Sequence, residues 1–312
     1  MFERLPTVPL SQELIDRAFR RGSRAGMTPG NDEKVVLTAG NILSDNLANL
    51  VRKFPSLDNL PPFYRELADI IVGVDAMRIS LSRLHWASKQ VREISRESVG
   101  KMRRGQDRLV ARRAAFGRMS SIIRSIDKDL IFLGEARDKL RMLPTIDPEL
   151  PTILIAGYPN VGKSSFITQV TGAKPEIASY PFTTQGIFVG HFNIGEQRYQ
   201  VVDTPGLLDR PLSEKNVIER QAIAVLRYLN GVVLYILDPS EHSGFPLGDQ
   251  LKLLEDVKSW IKLPIIVVAN KVDLLDYQGV PKMSTLTGEG VQEVLDLLVT
   301  ALEAERQSRN SA

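Results

Sequence analysis

Eight residues near the middle of the chain, Gly157-Tyr158-Pro159-Asn160-Val161-Gly162-Lys163-Ser164, follow the spacing G-x-x-x-x-G-K-[ST]. They stand between a β-branched apolar run (TILIAGY, 152–158) and a stretch with helical patterning. Few folds satisfy that context. A strand must end, the backbone must curl at its glycines so that N–H groups converge, and a helix must open with its partially positive N-terminus facing the same point. Such a cradle suits phosphate oxygens. Gly157 through Ser165 are therefore the candidate phosphate-binding residues, with Lys163 able to reach the β and γ phosphates and the Ser164 hydroxyl able to ligate magnesium.

The surrounding sequence repeats the strand–loop–helix pattern. Strands are expected at 152–158, 187–194, 198–204, 231–238, 264–270 and about 280–284, and helices at 163–171, 215–229, 247–261 and 290–305. Continuous apolar runs in these strands predict a mainly parallel six-stranded sheet with helices on both faces, an α/β domain over 151–306 followed by a polar tail at 307–312. Three prolines between Leu143 and Thr152 mark a linker. Before it the chain reads as helix, and 1–150 is expected to form an all-α bundle. Its helices are predicted at Ser11–Ala25 with Ser11 as cap, at Asp32–Phe54, from Tyr64 past Leu109 with Gly100 and Gly105 as candidate interruptions, and at Arg112–Leu143 with an apolar stripe of Ile122, Ile126, Leu130 and Leu133. Trp86 and Trp260 are expected as core anchors.

Three further segments extend the phosphate site. Asp203-Thr204-Pro205-Gly206 ends a predicted strand, where Asp203 could hold magnesium and the Gly206 N–H could sense a γ-phosphate. Asn270-Lys271-Val272-Asp273 follows an apolar strand, and the Asp273 carboxylate can accept the two N–H donors that guanine presents and adenine lacks. In Met283–Gly290, Ser284 and Thr285 would offer backbone N–H groups to guanine O6. Between the glycine loop and Asp203, Thr183 and Thr184 are candidates for a switch threonine that ligates magnesium only beside a γ-phosphate, with Thr184 preferred. The alternative is two β-formers entering a strand. Tyr180 and Phe182 in the same segment could pack or approach guanine. Lys163, Thr184 and Gly206 are the candidate catalytic groups.

Charge divides the chain. Residues 1–150 hold 26 Lys+Arg against 19 Asp+Glu (+7), and the remainder holds 14 against 18 (−4). The excess concentrates at 89–118, with ten cations against three anions, chiefly Arg92, Arg96, Arg103, Arg104, Arg108, Arg112 and Arg113. Such a face can meet a polyanion, or can be a solvated surface with local salt bridges. Cysteine is absent, which excludes disulfides and thiol chemistry, and the three histidines are scattered. No apolar run is long enough to span a membrane, and the start lacks a secretory pattern, so the expectation is a cytoplasmic protein.

GYPNVGKSS together with YPFTT and DTPGL resembles the GTPases of the Obg–Nog group. The helical half ahead of them, with little behind, resembles the Nog family in a short form as found in archaea. The resemblance implies binding of GTP and GDP, hydrolysis of GTP, and a role as a nucleotide-switched factor in assembly of the large ribosomal subunit, with Mg2+ expected at Ser164, Thr184 and Asp203. The implied partners are the subunit precursor and its rRNA, reached through the basic residues of 89–118, with assembly proteins and no membrane, the chain itself a monomer. The alternative is a nucleotide-gated module whose bundle binds a protein partner, and a tRNA-modifying GTPase is a weaker third reading. Two features bear on hydrolysis. Leu207, with Leu208 beyond it, stands where Ras-like enzymes carry a water-orienting glutamine, so slow intrinsic hydrolysis is expected. In related GTPases an asparagine placed like Asn160 is associated with K+ binding beside the phosphates, where a cation would meet developing negative charge.

Overall fold

The structure, a computed structural model, describes residues 2–26, 31–143, 145–172, 176–178, 187–203, 205–206, 208–211 and 214–310. By contact the chain divides into two compact units, 1–60 with 71–141, and 61–70 with 142–312. No described helix is long and apolar enough to cross a membrane.

The first unit is all-α. It contains α1 (Ser11–Ala25), α2 (Asp32–Lys53), α4 (Val74–Arg103), α5 (Arg108–Ser125) and α6 (Asp127–Arg141), with α3 (Pro62–Val72) lying mostly in the second unit. Helix α4 is the spine and packs on α2, α5 and α6. Small residues let α2 and α4 approach closely: a Cβ on Gly40 would meet Ser95 Cβ at 2.6 Å, and Ser44 and Ser88 share a buried hydroxyl contact of 3.1 Å. Acidic residues open α2 and basic ones close it, complementing the helix dipole. Asp107 caps α5 by accepting from the Val110 N–H at 2.8 Å.

Several local expectations change. Ser11 is the first residue of α1 and makes no cap bond; Leu10 occupies the cap position. The long third helix breaks at Gly73, whose φ of 78° lies in the left-handed region. A second break falls after Arg103 around Gly105, φ 95°, whereas Gly100 is accommodated within α4. The fourth helix divides at Ile126, and its buried stripe runs through Ile123, Ile126, Leu130 and Leu133; Ile122 is only half-buried. Trp86 is 46% exposed and no core anchor, while Trp260 is half-buried.

The second unit is a sheet with helices. Its strands are β1 (Thr152–Ala156), β2 (Glu176–Ala178), β3 (Ile187–Ile194), β4 (Gln197–Asp203), β5 (Gly231–Leu237) and β6 (Ile265–Ala269), in the order β2-β3-β4-β1-β5-β6. The pairs β4–β1, β1–β5 and β5–β6 are parallel, and β3 runs antiparallel to both β2 and β4. Strands β1 and β5 are buried along their whole length, as expected of a sheet covered on both faces. The helices are α7 (Lys163–Thr171), α8 (Val217–Val225), α9 (Leu247–Trp260) and α10 (Val291–Asn310). One core joins Phe166 and Ile167 of α7 and Leu295, Leu298 and Leu302 of α10 to the inward residues of β1, β4 and β5. Five of the expected strands form. The run at 280–284 does not: it contributes one parallel bridge, Lys282 to Ala269. The short β2 was not anticipated.

Candidate functional site

The parallel strands deliver the motifs to one edge of the sheet. Ile155 of β1 pairs with Asp203 of β4, so the turn after β1 opens beside that carboxylate. Leu237 of β5 pairs with Ala269 of β6, and the Asn270 N–H donates to Leu237 O at 2.8 Å. Carboxyl ends of parallel strands are where such sheets bind ligands.

The loop 157–162 is held in a conformation few residues tolerate. Gly157 (φ 132°), Asn160 (φ 63°) and Gly162 (φ 107°) all have positive φ. A Cβ on Gly157 would meet Ile236 O at 2.6 Å, and one on Gly162 would collide with the Asn270 amide. Gly162 caps α7, and the Phe166 N–H donates to its carbonyl at 3.0 Å. Lys163, only 8% exposed, folds back to donate from Nζ to Gly157 O at 2.9 Å and Tyr158 O at 2.8 Å. Burial pushes its pKa down, and the nearby carboxylates of Asp203 and Asp209 oppose that. Tyr158 packs against Phe245 with ring centroids 4.5 Å apart.

A cleft of about 700 Å³ faces this loop, lined among others by Asn160, Lys163, Ser164, Asp203, Gly206 and Asp209. Asp203 is buried at its wall. The Gly206 N–H donates to Asp209 Oδ2 at 2.8 Å, and the Gly206 carbonyl accepts from Lys215 Nζ at 2.8 Å. Lys215 is 3% exposed. Burial lowers its pKa to about 8 despite the opposing charges of Asp209, Glu219 and Glu214; Arg210 adds to the lowering. Arg210 pairs with Glu219 at 2.9 Å, and Glu219 also completes a capping box with Asn216 at the start of α8. Asp209, Arg210, Lys215 and Glu219 carry no spacing signature, and sequence reasoning missed them. Their only signal is an unusual density of charge just after DTPG.

The base-side loops interlock through one buried asparagine. Asn270 Nδ2 donates to Val161 O at 2.7 Å and to Thr285 Oγ1 at 3.0 Å, and its Oδ1 accepts from the Thr285 N–H at 2.9 Å. One side chain therefore ties the phosphate loop, the β6 edge and 283–290 together. Lys271, at φ 63°, pairs with buried Asp238 at 2.7 Å. The buried Ser284 hydroxyl donates to Oδ1 of the exposed Asp273 carboxylate. The backbone donors expected to face guanine O6 are both committed inside the protein, Ser284 N–H to Glu289 O at 2.8 Å and Thr285 N–H to Asn270. In this structure Ser284 and Thr285 instead orient Asp273 and Asn270. Val272 lies between them, its N–H directed to Met283 O. Thr183, Thr184, Tyr180, Phe182, Thr204 and Leu207 lie outside the described residues. Pro205 lines the cleft, and Leu208 is buried, its carbonyl accepting from the Gly157 N–H at 3.0 Å.

A glycine loop between a buried strand and a helix, an acidic strand end beside it and an Asn-Lys-x-Asp edge define a P-loop GTPase, a protein that binds GTP and GDP and hydrolyses GTP. Comparisons narrow the class. Residues 2–147 match the family model of the NOG1 N-terminal helical domain, and 152–271 match that of the 50S ribosome-binding GTPase. The chain is 42% identical over 294 residues to the uncharacterized protein MJ1408 of Methanocaldococcus jannaschii, covering 89% of this chain and 83% of that one. It is 36% identical to nucleolar GTP-binding protein 1 of Drosophila melanogaster, over 90% of this chain and 45% of the relative. The crystal structure of a putative nucleolar GTP-binding protein 1 from Plasmodium falciparum is 34% identical with a TM-score of 0.50, over 54% of this chain and 93% of that one. The chain belongs to the Nog1 family of GTPases. It spans about half the length of the eukaryotic relatives it matches.

Proposed function

We propose that this GTPase is a nucleotide-switched factor in large ribosomal subunit assembly, acting in the cytoplasm as a monomer. The observation that carries the reading is the joint match of both halves: a NOG1 helical domain and a ribosome-binding GTPase domain in one chain, with relatives named nucleolar GTP-binding proteins. In this reading Gly157–Ser165 wrap the phosphates, the Lys163 ammonium keeps a third donor for a phosphate oxygen, and Asp273 reads the guanine edge while Ser284 holds its carboxylate. The Gly206 N–H meets the γ-phosphate, and Thr184 joins when that phosphate is present. Asp203 and Ser164 line one cleft and offer the hard oxygen donors that suit Mg2+, an ion that otherwise keeps waters and phosphate oxygens. When bound, it would neutralise phosphate charge. With leucine at 207 in place of a glutamine, hydrolysis is slow without help. Asn160, on the rim of the cleft, would hold K+ as that help. Equal turnover in sodium and potassium buffers would remove this part.

The rRNA contact rests on Lys89, Arg96, Arg104 and Arg113, which are exposed and make no ion pair among the described residues. A run of unneutralised cations favours phosphate backbones with salt-sensitive affinity. Five others of the run tell a different story: Arg92 pairs with Asp45, Arg103 with Glu33, Arg112 with Asp32, and Arg118 and Lys101 with Glu97. That neutralisation favours the second reading, in which the bundle grips a protein partner. Cosedimentation with large-subunit particles, comparing a GTP analogue with GDP, tests the proposal. Nucleotide-dependent association that weakens as salt rises is expected, and association with neither form would sink it.

A further inference from the structure

Asp209 is one of the residues at the phosphate cleft that the motifs do not account for. Its Oδ2 accepts the Gly206 N–H at 2.8 Å. Its Oδ1 is buried and has no hydrogen-bond partner among the described residues. The carboxylate lines the same cleft as Lys163 and Asp203, and its charge is felt by the Lys163 ammonium. It thus occupies one of the groups that the preceding reading gives to a γ-phosphate, the Gly206 N–H, and sets a negative charge in the cleft that holds the other, the lysine. The Gly206 peptide itself is pinned from its other side, since its carbonyl accepts from the buried Lys215. Its φ of 84° further restricts that position to glycine. Its N–H therefore has little freedom to serve two acceptors.

We propose that Asp209 is a built-in competitor for the γ-phosphate and sets the selectivity of this GTPase between GTP and GDP. The inference rests on the reading of Gly206 as the γ-phosphate contact. The carboxylate holds the Gly206 N–H whenever the third phosphate is missing. Binding of GTP requires the phosphate oxygen to take that N–H, so the charge-assisted bond to Asp209 is broken and two anions are left side by side. GDP, which ends at the β-phosphate, meets neither cost. The competition shifts the switch toward its GDP form by the difference between the two ligands' interactions with this one group. After hydrolysis the carboxylate recaptures the N–H and stabilises the relaxed loop.

The experiment measures affinities of the full chain for GDP and for a non-hydrolysable GTP analogue with Mg2+. Wild type is compared with Asp209→Ala, Asp209→Asn, Glu214→Gln and Gly206→Ala. Asp209→Ala is expected to raise the ratio of analogue to GDP affinity about tenfold, the size of one charge-assisted hydrogen bond, with GDP affinity changed less than about twofold. Asp209→Asn, which keeps an acceptor and loses the charge, should fall between. Glu214→Gln removes an equal charge from an exposed neighbour and should leave the ratio alone; an effect as large as that of Asp209→Ala would reduce the result to general electrostatics and overturn the proposal. Gly206→Ala separates the two readings. If it weakens the analogue while Asp209→Ala changes nothing, the competitor is wrong and the γ-phosphate contact stands. If Gly206→Ala leaves analogue affinity intact, or the wild type binds neither nucleotide, both fall.

Discussion

The two units of this protein differ in where their charge is buried. In the helical unit most ion pairs lie at the surface: Arg92–Asp45 and Arg103–Glu33 join helices through side chains at least partly in water, and Arg83 with the buried Asp129 is the exception. Exposed pairs of this kind contribute little, typically under 1 kcal/mol, because water and salt screen them and long side chains lose freedom. The GTPase unit instead buries charge at one sheet edge, with Lys163, Asp203, Lys215 and Asp238 all enclosed. Burying them costs stability unless each finds partners. The difference separates charges that water can screen from charges that must find their partners inside the protein.

The sharpest way to break this contrast is to fill the cradle. Gly162→Ala puts a methyl into the Asn270 amide and should weaken GDP binding by roughly a hundredfold or more, read by fluorescent-nucleotide titration. Retained affinity would mean that the loop is not held as described. Next, Asn270→Ala removes an amide that joins three segments and should lower unfolding stability by about 3 kcal/mol in urea titrations. Asp273→Asn should leave the fold intact and move preference from guanine toward xanthine nucleotides, because a donor replaces an acceptor.

Lys215 sharpens the comparison through pH. Its folded pKa of about 8 lies below the ordinary 10.5, so between those values the unfolded chain binds more protons than the native one. Native stability should therefore rise as pH climbs from 8 to 10.5, by on the order of 2 kcal/mol, and the penalty should be fully present below pH 8. Lys215→Met should flatten that rise. The smallest effect is expected from Arg103→Ala in the bundle, about 0.5 kcal/mol and fading with added salt. A cost above 2 kcal/mol there would erase the distinction between the units.

Much of the candidate site's geometry was legible in the residues, and the reasons differ by position. Gly157 and Gly162 were readable because only glycine accepts their backbone angles. Asp273 stood out as a candidate because a carboxylate can accept guanine's paired donors. The helix break at Gly73 was hidden because apolar periodicity continues through it. The run at 280–284 looked like a strand, yet it makes a single bridge to β6. The expected donors at Ser284 and Thr285 failed for a similar reason: the sequence names the residues and leaves open which acceptor each N–H will find. Of the basic run, no spacing told which arginines would meet Asp32, Glu33, Asp45 or Glu97, since three of these carboxylates come from α2, more than forty positions away.

The linear chain by itself marked which residues form the curled loop after β1 and which carboxylate stands as the candidate base reader, because those demands act on backbone angles and donor patterns within a few neighbouring positions. Tertiary structure alone decided which charges are neutralised and which face the cleft. It set Asp209 on the Gly206 N–H and Lys215 behind the same peptide, because an ion's partner is fixed by distance in space and by exclusion of water, and neither is written in the order of residues.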